Sequence, residues 1–402
     1  MMNAGLLSVD EALERLLAGA TVVPDIEQVP ALEATGRVLA QAQVSTLDVP
    51  PMDNSAMDGY ALRLADVPAP GARLKVAQRI AAGSVGVPLA PGTAARIFTG
   101  APVPPGADAV VMQEHCASDG EFVVVKTVPQ PGGWIRLTGS DIRAGSRILA
   151  AGIRLRPQDT GLAASVGIKA LPVRRRVRLA LFFTGDELVM PGEPLAPGRI
   201  YNSNRFTLRG LAQVFGCELR DYGIVPDRLD ATRDVLRRAA SENDVIVTSG
   251  GVSVGEEDHV RPAVEAEGAL LMWRIAMKPG RPLAYGKVGA AAFIGLPGNP
   301  VSSFITFLVF VRPFLLRTQG IEEITPHALG LRSDFDWPRP DARREFLRAR
   351  RNPAGGLDLY PTQDSAVLTS TAWADGLVDN PPNQAIKKGD TVWFLPYSEL
   401  YG

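Results

Sequence analysis

The sequence predicts a multidomain protein: a central α/β/α domain built on a mostly parallel sheet, a small β domain, and a C-terminal β-barrel-like domain. Three observations carry this. Strand-like and helix-like runs alternate from Val177 to Gly320, as a parallel sheet covered by helices requires. Short β-prone runs separated by Pro- and Gly-rich turns fill Ala61–Ser140 and the stretch after Ile324. The chain has 402 residues, 46% hydrophobic and 21% charged, enough for two to four domains with sizeable cores.

Taken in order, Ser8 followed by Glu11 is a capping box, and Val9, Ala12, Leu13, Leu16 and Leu17 then recur at helical spacing. Residues 21–48 show a mixed pattern. Val49–Tyr60 is a long loop of turn formers carrying Asp53 and Asp58. The β-prone runs Ala94–Thr99, Ala109–Gln113 and Phe122–Val128 follow. Asp159–Ser165 reads as a helix, and Pro172 with Arg174-Arg-Arg176 as a linker with a solvated basic face. Expected strands are Val177–Phe183, Arg220–Val225, Val245–Thr248 and Ala291–Ile294. Expected helices lie near Arg205–Phe215, Asp230–Ala240, His259–Ala266 and Val301–Thr318. In the tail, Arg344–Arg350, Asp358–Tyr360 and Thr391–Leu395 read as strands, and alternation puts Arg344, Arg348 and Arg350 on one face.

Composition narrows the partners. A net charge of −1 supplies no broad cationic field, which argues against nucleic acid and for a small ligand. Cys116 and Cys217 are too few for a disulfide framework, and His115, His259 and His327 lack zinc-ligand spacing. The start of the chain has no basic-then-apolar leader. The apolar run Phe304–Val311 is too short to span a bilayer before Arg312-Pro313 interrupts it, so a cytoplasmic protein without a membrane partner is expected.

Chemistry concentrates in loops that follow strands. Thr248-Ser-Gly-Gly-Val-Ser-Val-Gly-Glu-Glu-Asp258 places bare backbone, including Ser249, Gly250, Gly251 and Ser253, beside carboxylates, a combination suited to an anion and its metal. Thr184-Gly-Asp-Glu187, Val225-Pro-Asp227 and Gly295–Ser302 take equivalent positions. In an open α/β sheet such loops share one edge, so Asp186, Glu187, Asp227 and Asp258 are candidates for one site. Gly295–Ser303 leads into an apolar helix whose first amides suit an oxyanion. Lys278 and Arg281 sit on a loop stiffened by Pro279 and Pro282, which suits an anion. Carboxylates would repel a phosphate unless Mg²⁺ lay between them, so acids and cations in one crevice imply two subsites: metal with phosphate, and a bare oxyanion.

Several alternatives fail. No two glycines are separated by one residue, which removes the dinucleotide fingerprint. Glu256 stands where a P-loop needs lysine. Ser253 in Gly251-Val-Ser-Val-Gly255 lies several residues past its strand, unlike a nucleophile elbow.

Six ordered motifs, Pro50–Ala61, Phe98–Pro104, Thr184–Leu188, Thr248–Gly255, Lys278–Pro282 and Gly295–Ser302, closely resemble the MoeA family of molybdopterin molybdenumtransferases, similar to the E domain of gephyrin. The resemblance covers nearly the whole chain. It implies insertion of molybdate into adenylylated molybdopterin with Mg²⁺-dependent release of AMP. It implies that Asp186, Glu187, Asp227 and Asp258 shape the metal and phosphate end, with Asp58, Glu187, Asp227, Asp258 and Asp141 as catalytic candidates. Thr99, Asp186, Ser249, Gly250, Gly251, Ser253, Pro297, Asn299 and Pro300 are then substrate-binding candidates. Lys278, Arg281, Pro282, Ser302 and Arg348, with Ser365 or Ser370, are expected to receive molybdate. Arg281 stands where some relatives have lysine.

The family likeness also implies a homodimer, with the Asp58 and Thr99 loops of one subunit facing the crevice of the other. The adenylyltransferase of the same pathway and apo-molybdoenzymes are candidate partners. The expected division is 1–24 with 176–325 as the α/β domain, 25–47 with 141–175 as a linking domain, 48–140 as the β domain and 326–402 as the C-terminal domain. The competing functions are a molybdopterin adenylyltransferase or other phosphate-handling pterin enzyme, and a non-catalytic gephyrin-like scaffold.

Overall fold

The computed structural model describes residues 6–251 and 259–401, apart from the side chains of Met272 and Trp273. Its centre is a six-stranded sheet in the order Glu218–Val225, Arg178–Thr184, Val245–Ser249, Ala291–Leu296, Pro282–Val288, Gly268–Arg274. The first four strands run parallel, and the last two add an antiparallel edge. The four parallel strands match the expected ones to within a few residues. The antiparallel pair was not read from the sequence, because its residues lie beside the Gly and Pro punctuation that marks the cationic loop.

Helices cover both faces of the sheet. Leu179, Leu181, Phe183, Val247 and Ile294 pack on one side with the helices Val9–Ala18, Ser203–Val214 and Pro300–Thr318. Ala180, Phe182, Ile246 and Phe293 pack on the other with the helices Leu229–Glu242 and Val260–Glu267. Alternation along buried parallel strands thus supplies both cores, and each fully buried Phe or Leu contributes about 1.5–3 kcal/mol. The capping box forms: Ser8 Oγ accepts from Glu11 N at 3.2 Å, and Ser8 N donates to Glu11 Oε2 at 2.8 Å.

Pro313 does not end its helix. Pro300–Thr306 continues through a π-helical turn, Phe307–Val311, into Arg312–Thr318. The widened turn relieves the clash and the missing N–H that proline brings. By length and composition the resulting 19-residue helix would cross a bilayer, yet 89% of its most apolar window is buried inside the protein, which makes it a core helix.

The small β domain is a sheet in the order Ala109–Met112, Gly59–Leu62, Thr93–Ile97, Ala72–Ile80, Phe122–Val125, Cys116–Asp119. Beside it, Ile26–Pro30 pairs antiparallel with Ala170–Arg174. The expected solvated linker is therefore corrected: Leu171, Pro172 and Val173 are buried strand residues, and Arg175 bonds Asp244 at 2.9 Å and Asp25 at 2.9 Å. In the C-terminal domain the strands order as Met277–Lys278, Arg344–Arg351, Gly376–Asn380, Thr391–Pro396, Leu329–Arg332. The first of these is lent by the α/β domain, with Met277 opposite Arg344 and Lys278 opposite Glu345.

A second tie joins the same two domains. Arg312 is 5% exposed and donates to the carbonyls of Leu400 (2.8 Å), Ile324 (2.7 Å) and Glu399 (3.3 Å); burial pushes its pKa down to about 10. Arg312→Leu would leave these carbonyls without that donor. A stability loss of about 2–4 kcal/mol is expected, measured as a lower urea midpoint with an unchanged slope.

Candidate active site

The loops after the parallel strands open on one edge of the sheet, and there a cleft of about 1140 Å³ lies between the α/β and C-terminal domains. One wall is acidic. Gly185, with φ +141°, turns the chain out of its strand, and Glu187 and Asp227 line the cleft. Asp186 is exposed beside them, its Oδ1 accepting from the Asp227 amide at 3.4 Å. Among the described residues no three Asp, Glu, His or Cys side chains group closely enough to hold a metal alone. Asp258 and Ser253, expected here, lie outside the described residues. Two carboxylates lining the cleft nevertheless fit Mg²⁺, which retains waters and takes further oxygens from a phosphate.

The floor is Ser249-Gly250-Gly251. Gly250 (φ +97°) and Gly251 (φ +64°) occupy left-handed backbone. A Cβ on Gly250 would stand 2.8 Å from the Thr184 carbonyl oxygen, and one on Gly251 2.6 Å from Val260 Cγ2. Only glycine fits, and the absence of side chains leaves amides open to a ligand. Asn204 Nδ2 donates to Ser249 Oγ (2.8 Å) and to the Gly298 carbonyl (2.7 Å), and Ser249 Oγ donates to the Pro297 carbonyl (2.9 Å). One amide therefore locks the floor to the next loop.

The opposite end is cationic. Pro297, Gly298, Asn299, Pro300 and Ser302 bring the first turn of the core helix to the cleft. Asn299 Nδ2 donates to Ser365 Oγ at 3.0 Å, and the Val301 amide to the Ser365 carbonyl at 3.1 Å. Lys278, Arg281 and Pro282 line the same space. Gly280 (φ +98°) lets their loop settle on the helix, where a Cβ would come 2.4 Å from Thr306 Oγ1. Arg281 is exposed and makes no ion pair among the described residues, whereas Lys278 Nζ lies 3.3 Å from Glu345 and 3.5 Å from Asp341.

Not every expected residue arrives. Arg348 is fully buried: it donates to Ser370 Oγ (3.1 Å) and the Asp364 carbonyl (3.1 Å), and burial lowers its pKa to about 10. Ser370 is buried with it. Both support the cleft-lining segment Gln363–Ala366 from behind, so within this chain Ser365 faces the cleft and Ser370 does not. Arg344 is held by Asp379 and Asp10, and Arg350 lies over the Trp373 ring. The C-terminal cation that lines the cleft is Arg343, just before the residues that alternation singled out. Asp58, Thr99 and Asp141 do not line the cleft. Asp58 Oδ1 accepts from the Thr99 amide and hydroxyl, both at 2.8 Å, and these bonds hold its carboxyl below the usual range. Asp141 is exposed, and its amide donates to the Val49 carbonyl.

Sequence reasoning missed Asn202, Asn204 and Arg343. Asn202-Ser-Asn204 opens a helix, with Asn202 Oδ1 capping Arg205 N at 3.1 Å. That capping signature would have placed both asparagines at the strand edge.

Three family models match: the MoeA N-terminal region (domain I and II) over residues 7–167, a probable molybdopterin binding domain over 180–317, and the MoeA C-terminal region (domain IV) over 331–397. A molybdopterin molybdenumtransferase of Haemophilus influenzae is 40% identical, covering 99% of this chain and 100% of its own length. One from a Nostoc species is 40% identical, over 86% and 85%. The crystal structure of the molybdopterin biosynthesis moeA protein from Pyrococcus horikoshii superposes with a TM-score of 0.86 at 31% identity, covering 98% of this chain and 100% of that one.

Gly250→Ala forces a Cβ against backbone in left-handed conformation. A stability loss of about 2–4 kcal/mol is expected in thermal melts. Asn204→Ala is expected to melt within a few degrees of the parent, while proteolysis at the Pro297–Ser302 loop accelerates.

Proposed function

The chain belongs to the MoeA family, molybdopterin molybdenumtransferases of molybdenum cofactor biosynthesis, and on that premise we propose how its cleft divides the work. Adenylylated molybdopterin lies along the glycine floor with its phosphates toward Glu187 and Asp227. Molybdate occupies the end lined by Lys278, Arg281, Pro282, Ser302 and Ser365. Molybdenum enters the dithiolene, and AMP leaves in an Mg²⁺-dependent step. The observation that carries this reading is that a single cleft holds carboxylates at one side and cations with a helix N-terminus at the other.

Glu187 and Asp227, with Asp186 beside them, would hold Mg²⁺, which supplies neutralisation of the phosphate charge. The chain's own residues do the positioning. Bare amides at Gly250 and Gly251 approach the nucleotide, and the Asn204 bridge keeps floor and helix loop at fixed separation. Lys278 and Arg281 orient the oxyanion with its oxygen toward the phosphoanhydride. Holding two anions in register and neutralising them accounts for most of the rate. The working unit is a cytoplasmic homodimer in which Asp58, Thr99 and Asp141 of one subunit serve the cleft of the other. The exposure of Thr99 and Asp141, with Asp58 half-buried beside Thr99, all away from their own chain's cleft, supports this. The pathway's adenylyltransferase and apo-molybdoenzymes would meet the same assembly as donor and acceptor.

The test is AMP release by purified protein given adenylylated molybdopterin and Mg²⁺. Release is expected only when molybdate is added, and release that ignores molybdate would reject the reading. Asp227→Ala should lower kcat roughly 10²-fold or more while the thermal midpoint holds. Arg281→Ala should raise the KM for molybdate roughly tenfold, with a smaller change in kcat.

A further inference from the structure

The cations of the cleft do not face their ligand unaccompanied. Behind Lys278 and Arg343 stands Asp341, which does not itself line the cleft and whose side chain is 22% exposed. It takes Arg343 at both oxygens, Nε on Oδ1 at 2.8 Å and Nη2 on Oδ2 at 2.7 Å, and lies 3.5 Å from Lys278 Nζ. A second acid, Glu345, is fully buried 3.3 Å from Lys278 Nζ. The two acids differ in kind. Glu345 Oε2 also receives Trp337 Nε1 (2.8 Å), the Asp341 amide (3.2 Å) and Asn380 Nδ2 (3.4 Å), so it is satisfied by neutral donors and anchors the join between domains. Apart from the Arg343 amide, which donates to Oδ1 at 3.1 Å, Asp341 faces two cations of the cleft. Those partners hold its carboxyl far below the ordinary carboxylate range, so it stays charged at any working pH.

We propose that Asp341 sets how tightly the oxyanion end binds: it is a resident anion that shares Lys278 and Arg343 with the incoming tetrahedral dianion. This rests on the assignment of that end to molybdate. Lys278, Arg281 and Arg343 carry three positive charges, and Asp341, Glu345 and the cleft-lining Asp364 three negative ones. The end therefore presents no net charge to the ligand, and removing Asp341's charge would leave one positive. An acid bonded to a cation can also help the ligand by aiming that cation. Here an amide copies only part of the aim, its one oxygen accepting from the Arg343 amide and Nε as Oδ1 does while the Nη2 bond to Oδ2 is lost, and it copies none of the counter-charge. Charge therefore outweighs aim. The subsite is built to hold an oxyanion without over-stabilising it before it reacts, and Asp341 is a positioning residue that acts through its two cations.

Titration of the full-length protein with sodium molybdate alone, followed calorimetrically at low salt, tests this on three variants. Asp341→Asn is expected to tighten binding roughly tenfold, with the gain shrinking as ionic strength rises. It is also expected to lower the KM for molybdate and kcat together, as tighter binding of the ground state than of the transition state requires. Asp341→Ala loses the turn as well as the charge and is expected to bind less tightly than Asp341→Asn. Unchanged or weaker binding by folded Asp341→Asn would overturn the proposal and leave Asp341 as a support for Arg343. Arg281→Ala separates the two levels. If it binds molybdate like the parent, the assignment of this end to molybdate is wrong. If it loses binding while Asp341→Asn gains none, only the role given to Asp341 is wrong.

Discussion

The pairing of Met277–Lys278 with Arg344–Glu345 is the join on which the cleft depends. It is a two-residue ladder, reinforced by the Ala276 carbonyl accepting from the Arg344 amide at 3.0 Å and by Lys278 against the buried Glu345. The Arg312 tie and the shared core also hold the C-terminal domain to the sheet, but without this ladder the cationic loop would be an ordinary crossover. With it, strand ends, helix N-terminus and Gln363–Ala366 enclose one space. A buried carboxylate is expensive unless paired and hydrogen-bonded, and Glu345 is both. The charge that closes the cleft thus also makes the closure specific to one register.

Within this frame the acidic and cationic ends have different origins. Glu187 and Asp227 stand where they do because parallel strands end on a common edge, a property of topology. Lys278 and Arg281 owe their places to the antiparallel edge and to Gly280, whose missing Cβ lets the loop lie on Thr306. The floor joins the two through Asn204, whose side-chain amide bonds both the Ser249 floor and the Gly298 turn. Each piece is locally simple, and the site is a matter of their convergence.

This explains what could be read from the residues. Periodicity and capping are short-range signals, so the helix capped at Ser8, the four parallel strands and the acids just past their ends were legible to within a few residues. Arg343 and Arg348 were not separable by such signals. Alternation along Arg344–Arg351 says which side chains share a face, but not which face is covered by Gln363–Ala366. The burial of Arg348 against Ser370 and the Asp364 carbonyl is a long-range fact. The edge strands Gly268–Arg274 and Pro282–Val288 were hidden for a related reason: the turn residues between them serve the site and obscure the pattern. The helix expected over Val301–Thr318 does run through Pro313, the π-helical turn before it absorbing a residue that usually stops a helix.

The helix Val9–Ala18 packs against Arg312–Thr318, and Leu7 exchanges backbone bonds with Arg274 and Ala276. Nearly the whole α/β domain separates these partners along the chain. During synthesis, which proceeds from the N-terminus, the first helix leaves the ribosome with its apolar stripe uncovered and waits on the order of tens of seconds for the segment that will shelter it. Until then the nascent chain carries an open greasy surface while its β domain is already able to fold. Cover for that stripe arrives only when Phe314 and Leu315 emerge.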